Sequence, residues 1–298
     1  MPYTLWNERA IAPWAVVGLL GMSVAMGGCA GTRKPAAGDA GLPPSYQVAQ
    51  LGNNSPTVSS AAGRDLSTAS DETELQKRAR IRMELALGYY GRGQLTTALD
   101  EVKQTIALDD RMPDAFELRG LIYDALNEPR LAEESFKRAL QFDERNGSVL
   151  HNYAWFLCRR QQYAAADAYF ARATELAITA ATPKAFLARG VCQMQAGLIP
   201  DAEKNLLRSY ELAPSNPATA FNLALVLYRK GDYDRARFYI RRVNGMPEQA
   251  NPESLWLGIR IENKLGNMNE RTELATQLRS RFPNGREVTA LELGRFDE

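Results

Sequence analysis

A pattern of 34 residues that returns six times most constrains how this chain can fold. Each copy carries a small residue, a second small residue twelve positions later, and a bulky residue after four more. Five copies read Ala86, Ala98 and Val102; Gly120, Ala132 and Phe136; Ala154, Ala166 and Phe170; Gly190, Ala202 and Leu206; and Ala224, Ala236 and Ile240. The sixth has Ile259, Arg271 and Ala275. Such a period predicts a stack of similar units rather than one central core.

Each copy is expected to form two helices. Small side chains let two helices approach closely, and the bulky residue fills the space beside them. Four copies begin with proline, which costs no hydrogen bond at the first helical position: Pro113, Pro183, Pro217 and Pro252. Thr182, Asn216 and Asn251 precede three of these prolines as expected N-caps. The predicted array spans 71–285, with a charged start near Asp71 and copies at 79–112, 113–146, 147–182, 183–216, 217–251 and 252–285.

This pattern resembles the tetratricopeptide repeat. The resemblance implies an all-α fold, a right-handed superhelical solenoid of about six helix pairs. The sixth copy departs most from the pattern, as is typical of a terminal cap. For residues 286–298 two alternatives remain, a short closing helix or a loose tail.

Residues 1–28 are predicted to be a lipoprotein signal peptide. The uncharged run from Ala15 to Met26 is too short to span a bilayer of about 30 Å. Two glycines directly before Cys29 resemble the bacterial lipobox, although Met26 stands where leucine is commoner. The resemblance implies a diacylglyceryl group on Cys29, cleavage before it, and acylation of the new amino group. The alternative is an uncleaved anchor that reaches back to Ile11, with Cys29 incidental.

The residue after the lipidated cysteine decides the destination of bacterial lipoproteins. Here it is Ala30 rather than Asp, which by the lipoprotein sorting rule implies the periplasmic face of the outer membrane. Residues 29–70 are rich in Gly, Ala, Pro, Ser and Thr and have no apolar period. Such a segment cannot bury enough surface to order itself, so it is predicted to be a flexible tether.

Composition excludes several classes of function. The 36 basic and 35 acidic residues nearly balance, which argues against nucleic acid as a partner. One histidine and three cysteines are too few for the usual zinc site. The sequence carries no phosphate loop, dinucleotide fingerprint or nucleophile elbow. We therefore expect no catalytic residue, metal, cofactor or small-molecule substrate, and the protein is not expected to be an enzyme.

The remaining candidates for a reactive side chain are His151 and two cysteines, Cys158 and Cys192. A His151–Cys158 dyad would need distortion, because two helical turns separate the residues, so a surface or groove histidine is the favoured interpretation. Cys158 and Cys192 fall at similar levels on the first helices of the third and fourth copies, which stack side by side. In an oxidising compartment this arrangement predicts a disulfide. The alternative is two buried free thiols.

The concave side of such an array is the candidate binding surface. First helices line it, and an apolar stripe with aromatic anchors suits an extended or helical peptide. The predicted groove residues are Met83, Leu87, Tyr90, Leu121, His151, Trp155, Leu187, Met194, Phe221, Leu225 and Tyr228. Glu117, Asp124 and Val191 project the same way. The alternative for any one of them is ordinary packing between repeats.

The third copy carries a more specific resemblance. Asn152 and Tyr153, followed by Phe156, Leu157 and Cys158, are similar to a segment of the type IV pilus biogenesis lipoprotein family, the PilW/PilF pilotins. The second cysteine of that family is expected at the position of Cys192. The resemblance implies a protein that binds secretin subunits and promotes their outer-membrane localisation and multimerisation.

Two alternatives come from other classes of protein. A lipoprotein scaffold for peptidoglycan synthesis or barrel assembly would share the lipid and the repeats but not the cysteine-bearing segment. An enzyme with an appended helical array is the other, but almost no sequence remains to hold a catalytic domain.

Overall fold

The structure, a computed structural model, describes residues 72–176 and 182–297. In these two ranges all regular structure is helical, which confirms the predicted all-α fold. The helices there are α1 (Glu74–Gly91), α2 (Leu95–Leu108), α3 (Pro113–Ala125), α4 (Pro129–Phe142), α5 (Gly147–Arg159), α6 (Tyr163–Glu175), α7 (Thr182–Gln195), α8 (Ile199–Leu212), α9 (Pro217–Lys230), α10 (Tyr233–Asn244), α11 (Pro252–Lys264), α12 (Met268–Arg281) and α13 (Arg286–Glu292).

Helices α1 to α12 form six consecutive helical hairpins. The two helices of each hairpin make the most extensive contacts in the fold, and each second helix then packs on the first helix of the next hairpin. The contact pattern is that of a solenoid, in which each repeat touches its neighbours and little else. The predicted stack of six helix pairs is therefore confirmed.

Two glycines show why the first small position is small. A Cβ atom added at Gly120 would lie 3.0 Å from the ring of Phe136, and one at Gly190 would lie 2.7 Å from Leu206. Each clash is with the bulky residue of the same copy, sixteen positions later. The repeat pattern thus records a close helix–helix approach that a larger side chain would push apart.

The turn inside every hairpin contains one residue in the left-handed region. These residues have φ between 58° and 84°, and in chain order they are Gly93, Asn127, Gln161, Gly197, Gly231 and Gly266. A left-handed residue ends one helix and lets the chain reverse, and glycine adopts that conformation without a steric penalty. The six hairpin turns therefore share one backbone geometry, although the left-handed residue of two of them is not glycine.

Asparagine caps begin several first helices. The Asn216 side chain accepts hydrogen bonds from the backbone of Ala218 and Thr219, and Asn251 forms a capping box with Ser254. Because an N-cap satisfies backbone donors that the helix leaves free, these residues fix where α9 and α11 begin. Thr182 differs from its prediction, since α7 already begins at that residue and Thr182 lies inside the helix.

The two alternatives for residues 286–298 are decided in favour of a closing helix. The short helix α13 packs on α11 and α12, and Val288 is buried with Ile259 and Ala275. Ile259, at a position that is small in the other copies, therefore fills the last core cluster. Beyond α13, the Phe296 ring stacks on Trp256 with the ring centroids 5.7 Å apart.

The N-terminal predictions lie outside the described residues. The signal peptide, Cys29 and the tether all precede residue 72. In residues 72–176 and 182–297, no helix is both long enough and apolar enough to cross a membrane.

Candidate partner-binding groove

The predicted groove residues come from the first helices α1, α3, α5, α7 and α9. Nine of the eleven are half-buried, so each packs against the core yet keeps part of its side chain accessible. We call these nine the groove face: Leu87, Tyr90, Leu121, His151, Trp155, Leu187, Phe221, Leu225 and Tyr228. A surface of this kind offers apolar contact area together with three aromatic anchors, Tyr90, Trp155 and Tyr228.

The groove prediction is wrong for the two methionines. Met83 and Met194 are only 8% and 5% exposed, and each packs in a core cluster between consecutive hairpins. Met83 lies with Leu118 and Ile122 of the second hairpin, and Met194 lies with residues of the fifth. Methionine adapts its shape to irregular gaps, and here it fills the seam between repeats instead of presenting surface.

Charged side chains border the groove face in the first three hairpins. The buried carboxylate of Asp124 pairs with Arg159, and Arg160 Nη2 lies 3.6 Å from its other oxygen. Burial raises the pKa of the Tyr90 hydroxyl, and the nearby Arg159 opposes that rise. Half-exposed guanidinium groups therefore stand beside the apolar face, where they can reach a partner's carbonyl or carboxylate groups.

Glu117 is a polar residue that joins two repeats from inside. Its carboxylate accepts hydrogen bonds from Ser148 Oγ at 2.6 Å and from Asn152 Nδ2 at 2.5 Å. Burial raises the pKa of Glu117, while these two bonds act in the opposite direction. Because the side chain is only 6% exposed, Glu117 fixes α5 against α3 and does not contact a partner.

His151 is half-buried on α5, with its ring edge against Phe170 at a centroid distance of 5.8 Å. Burial, assisted by the positive charge of Lys184, lowers the pKa of His151 to about 4. The imidazole is therefore neutral at pH 7. In the described part of the chain, no group of three or more His, Cys, Asp or Glu side chains is placed to hold a metal ion.

The third-copy segment that carries the family resemblance lies mostly in the core, although Asn152 is half-buried. Tyr153, Phe156 and Leu157 are each 2% exposed, and they pack in one cluster with Phe136 and Phe170. These three side chains form the buried face of α5. They stabilise the array at this point, and only their neighbours His151 and Trp155 belong to the groove face.

A disulfide joins the third and fourth hairpins in the structure. Cys158 on α5 is bonded to Cys192 on α7, and their Cα atoms lie 5.9 Å apart. Both side chains are buried, so the bond lies beneath the groove face. It ties two adjacent first helices together near Trp155 and Leu187.

A polar network also crosses the junction between the third and fourth hairpins. Arg189 donates from Nε and Nη2 to the two carboxylate oxygens of Asp167, at 2.8 and 2.9 Å. Gln193 donates to the same carboxylate at 2.7 Å and accepts from Asn205 at 2.8 Å. Sequence reasoning missed this network because its bonded partners lie 12 to 26 residues apart and follow no repeat position.

The sixth hairpin contributes groove residues that sequence reasoning missed. Trp256 and Arg260 occupy positions on α11 that correspond to Phe221 and Leu225 on α9, since the two copies are offset by 35 residues. The guanidinium carbon of Arg260 lies 4.7 Å from the centroid of the Tyr228 ring, in cation–π contact. The repeat offset alone would have identified both residues.

Comparison with known proteins identifies the repeat family of this chain and a relative with a similar sequence. A tetratricopeptide repeat family model matches residues 83–148, 157–217 and 193–247, which together are more than half of the chain. The type IV pilus assembly protein PilF of Pseudomonas aeruginosa (strain PAO1) is 27% identical over 205 residues. The aligned region covers 69% of this chain and 81% of that protein.

Two solved structures resemble the array closely. One, from a functional characterisation of Pseudomonas aeruginosa pilF, superposes with a TM-score of 0.66 at 25% identity and covers 74% of this chain and 100% of that chain. The other is PilW, described as a widely conserved type IV pilus biogenesis factor. It has a TM-score of 0.66 at 29% identity and covers 72% of this chain and 97% of that chain.

Proposed function

The chain belongs to the tetratricopeptide repeat family, and we propose that it is an assembly factor of type IV pili that binds another protein through its groove face. Its partner in this proposal is a secretin subunit, whose outer-membrane localisation and multimerisation it promotes. The observation that carries the proposal is the likeness to PilF, which extends over 81% of that protein's length. The likeness to PilW, over 97% of that chain, supports it independently.

The groove face has the chemistry that the proposed role requires. Tyr90, Trp155 and Tyr228 provide amphipathic rings, the residue type that dominates binding energy at protein interfaces. Leu121, Leu187 and the neighbouring aliphatic side chains supply apolar area between the anchors. An extended or helical segment of the partner would lie along first helices that the disulfide and buried Glu117 hold in register.

A lipid on Cys29 would place this groove at the membrane. Each buried CH₂ contributes about 0.8 kcal/mol, so several acyl chains together anchor a protein stably. The tether of residues 29–70 would let the array reach a secretin subunit in the periplasm. Transport of the lipoprotein would then carry the bound subunit to the outer membrane.

Replacing the lipidated cysteine tests the anchoring half of the proposal. In Cys29→Ala cells we expect the protein to leave the outer-membrane fraction and heat-stable secretin multimers to fall at least several-fold. Fractionation and gels of unheated samples measure both quantities. Unchanged multimers in cells that make full amounts of the variant would overturn the pilotin role.

Substitution on the groove face tests the binding half. We expect Trp155→Ala and Tyr228→Ala each to lower the amount of secretin recovered with the protein by about fivefold or more, since a truncated aromatic anchor typically costs about 1 kcal/mol or more. Phe238→Ala is the matched control, because Phe238 is an aromatic residue on the second helix α10 and is 52% exposed. Equal losses in all three variants would contradict a groove-specific contact.

A further inference from the structure

The last residues of the chain turn back onto the first helix of the sixth hairpin. Gly294 has φ of 67°, Arg295 N donates to Ala290 O at 2.9 Å, and Gly294 N donates to Leu291 O at 3.2 Å. These two bonds and the left-handed glycine form a Schellman motif at the end of α13. The motif reverses the chain, so that residues 295–297 lie against α11 instead of continuing away from the array.

The reversed segment places one aromatic ring in a shelf formed by the sixth hairpin. The Phe296 ring lies nearly parallel to Trp256, with 5.7 Å between centroids and an interplanar angle of 26°. The guanidinium carbon of Arg271 lies 5.5 Å from the centroid of the Phe296 ring. Phe296 is thus held by an aromatic face and a cation, as an aromatic side chain of a bound peptide would be.

Two charged side chains of α11 hold the backbone and the acidic group of the same segment. Arg260 Nε donates to the carbonyl oxygen of Phe296 at 2.8 Å, and Lys264 Nζ lies 2.5 Å from Asp297 Oδ1. Arg260 also stacks on Tyr228, the last residue of the groove face. The segment 294–297 therefore occupies the continuation of the groove face into the sixth hairpin.

We propose that this shelf, formed by Trp256, Arg260 and Lys264, is a peptide-binding subsite, and that the chain's own tail fills it until a partner segment with an aromatic residue followed by a carboxylate displaces it. The tail itself defines that chemistry, because it supplies the ring, the carbonyl and the acid. The role of the subsite in pilus assembly rests on the function proposed above, but its occupancy by the tail does not.

The contacts that hold the tail are weak enough for a partner segment to replace them. The Lys264–Asp297 pair lies at the surface, where such pairs contribute little. The tail competes mainly because it is tethered, which gives it an effective concentration in the millimolar range. A partner that binds the rest of the groove face gains the same advantage, so binding at Trp155 or Tyr228 would favour displacement of the tail.

A peptide added in trans tests the subsite. The probe is a fluorescein-labelled peptide of residues 293–298, LGRFDE, titrated by fluorescence anisotropy into the Cys29→Ala chain and into the same chain ending at residue 293. We expect the shortened chain to bind it at least tenfold more tightly. The same peptide with alanine in place of phenylalanine is the matched control, and it should lose most of this affinity.

A second variant keeps the test valid if shortening disturbs the fold. Gly294→Ala leaves every contact residue in place but strains the turn, because alanine at a φ of 67° is unfavourable and no atom lies within 4 Å to cause a clash. We expect this full-length variant to bind the peptide several-fold more tightly than the parent. Equal binding by parent and variant, or no binding by a shortened chain with a normal unfolding transition, would overturn the subsite.

Sedimentation of the same two chains distinguishes a tail bound within one chain from a tail bound to a second copy. We expect the parent chain to stay monomeric at every concentration. Concentration-dependent dimers of the parent that vanish on shortening would overturn the proposed competition within one chain. No pilus protein enters these experiments. Their failure would therefore leave the proposed function standing, and failure of secretin binding would leave the subsite standing.

Discussion

Single left-handed residues set the geometry of all six hairpin turns. Four of the six are glycine, whereas Asn127 and Gln161 adopt φ of 58° and 60° with a side chain. A residue with a Cβ atom pays about 1–2 kcal/mol for this region, and asparagine is the side chain that tolerates it best. The turns therefore carry a backbone cost that depends on the residue at one known position.

Alanine substitutions at two glycines, one left-handed and one helical, measure this backbone cost separately from steric clashes. We expect Gly231→Ala to destabilise the protein by about 1 kcal/mol, because φ there is 84° while the space around a new Cβ is open. Gly91→Ala is the matched control, since that site is also open but helical, and it should be neutral or slightly stabilising. Urea unfolding measures both, and equal effects would contradict the argument.

The chain's single histidine offers a second test at this scale. Because burial lowers its folded pKa to about 4 from 6.5, His151 stays neutral in the folded state while the unfolded chain takes up a proton. Stability from this group is therefore lost as the pH falls from about 6.5 to 4. Proton NMR of the one imidazole gives the pKa directly, and a titration midpoint near 6.5 would contradict burial of the ring.

At the scale of elements, the seam between the third and fourth hairpins is reinforced both by a disulfide and by a polar network. A covalent bond joins α5 to α7, and the Arg189–Asp167 pair with Gln193 joins α6 to α7. The groove face on either side of this seam contains Trp155 and Leu187. Reinforcement here keeps these two groove-face side chains at a fixed separation, which lowers the entropy lost when a partner binds.

Removing the disulfide tests this reinforcement. In the Cys158→Ala/Cys192→Ala variant we expect the free energy of unfolding to fall by about 4 kcal/mol, the entropy of closing a 34-residue loop. Guanidinium unfolding of the Cys29→Ala chain, with and without the two further substitutions, measures it. Two reactive thiols in the denatured, unreduced Cys29→Ala chain would show instead that the bond does not form.

The sequence was informative about the elements and less so about contacts between them. The small and bulky positions predicted the six helix pairs, because a close approach such as that of Gly190 to Leu206 recurs at a fixed period. The inward rotation of Met83 and the Glu117–Asn152 bond depend on how successive pairs stack, which no local pattern records. The tail was left open because the period ends at residue 285, and its docking depends on Trp256 and Arg260 acting together.

At the scale of the whole molecule, the repeat array combines nearly balanced charge with one apolar, aromatic row of side chains. Many of its charges are paired between neighbouring helices, as in Asp124 with Arg159 and Glu203 with Lys230 and Arg235. Long-range electrostatic attraction is therefore expected to contribute little to the recognition of a partner. The groove face and the tail-filled shelf remain as the surfaces with specific chemistry.

Site-specific photo-crosslinking in cells that assemble type IV pili tests the central claim most directly. A photoreactive phenylalanine analogue replaces Trp155 or Tyr228 on the groove face, and Phe238 on the opposite helix row serves as the control. We predict a crosslinked species that contains a secretin subunit from the two groove positions and none from Phe238. Secretin crosslinks from Phe238 alone, or none from any position in cells with normal pili, would contradict binding through the groove.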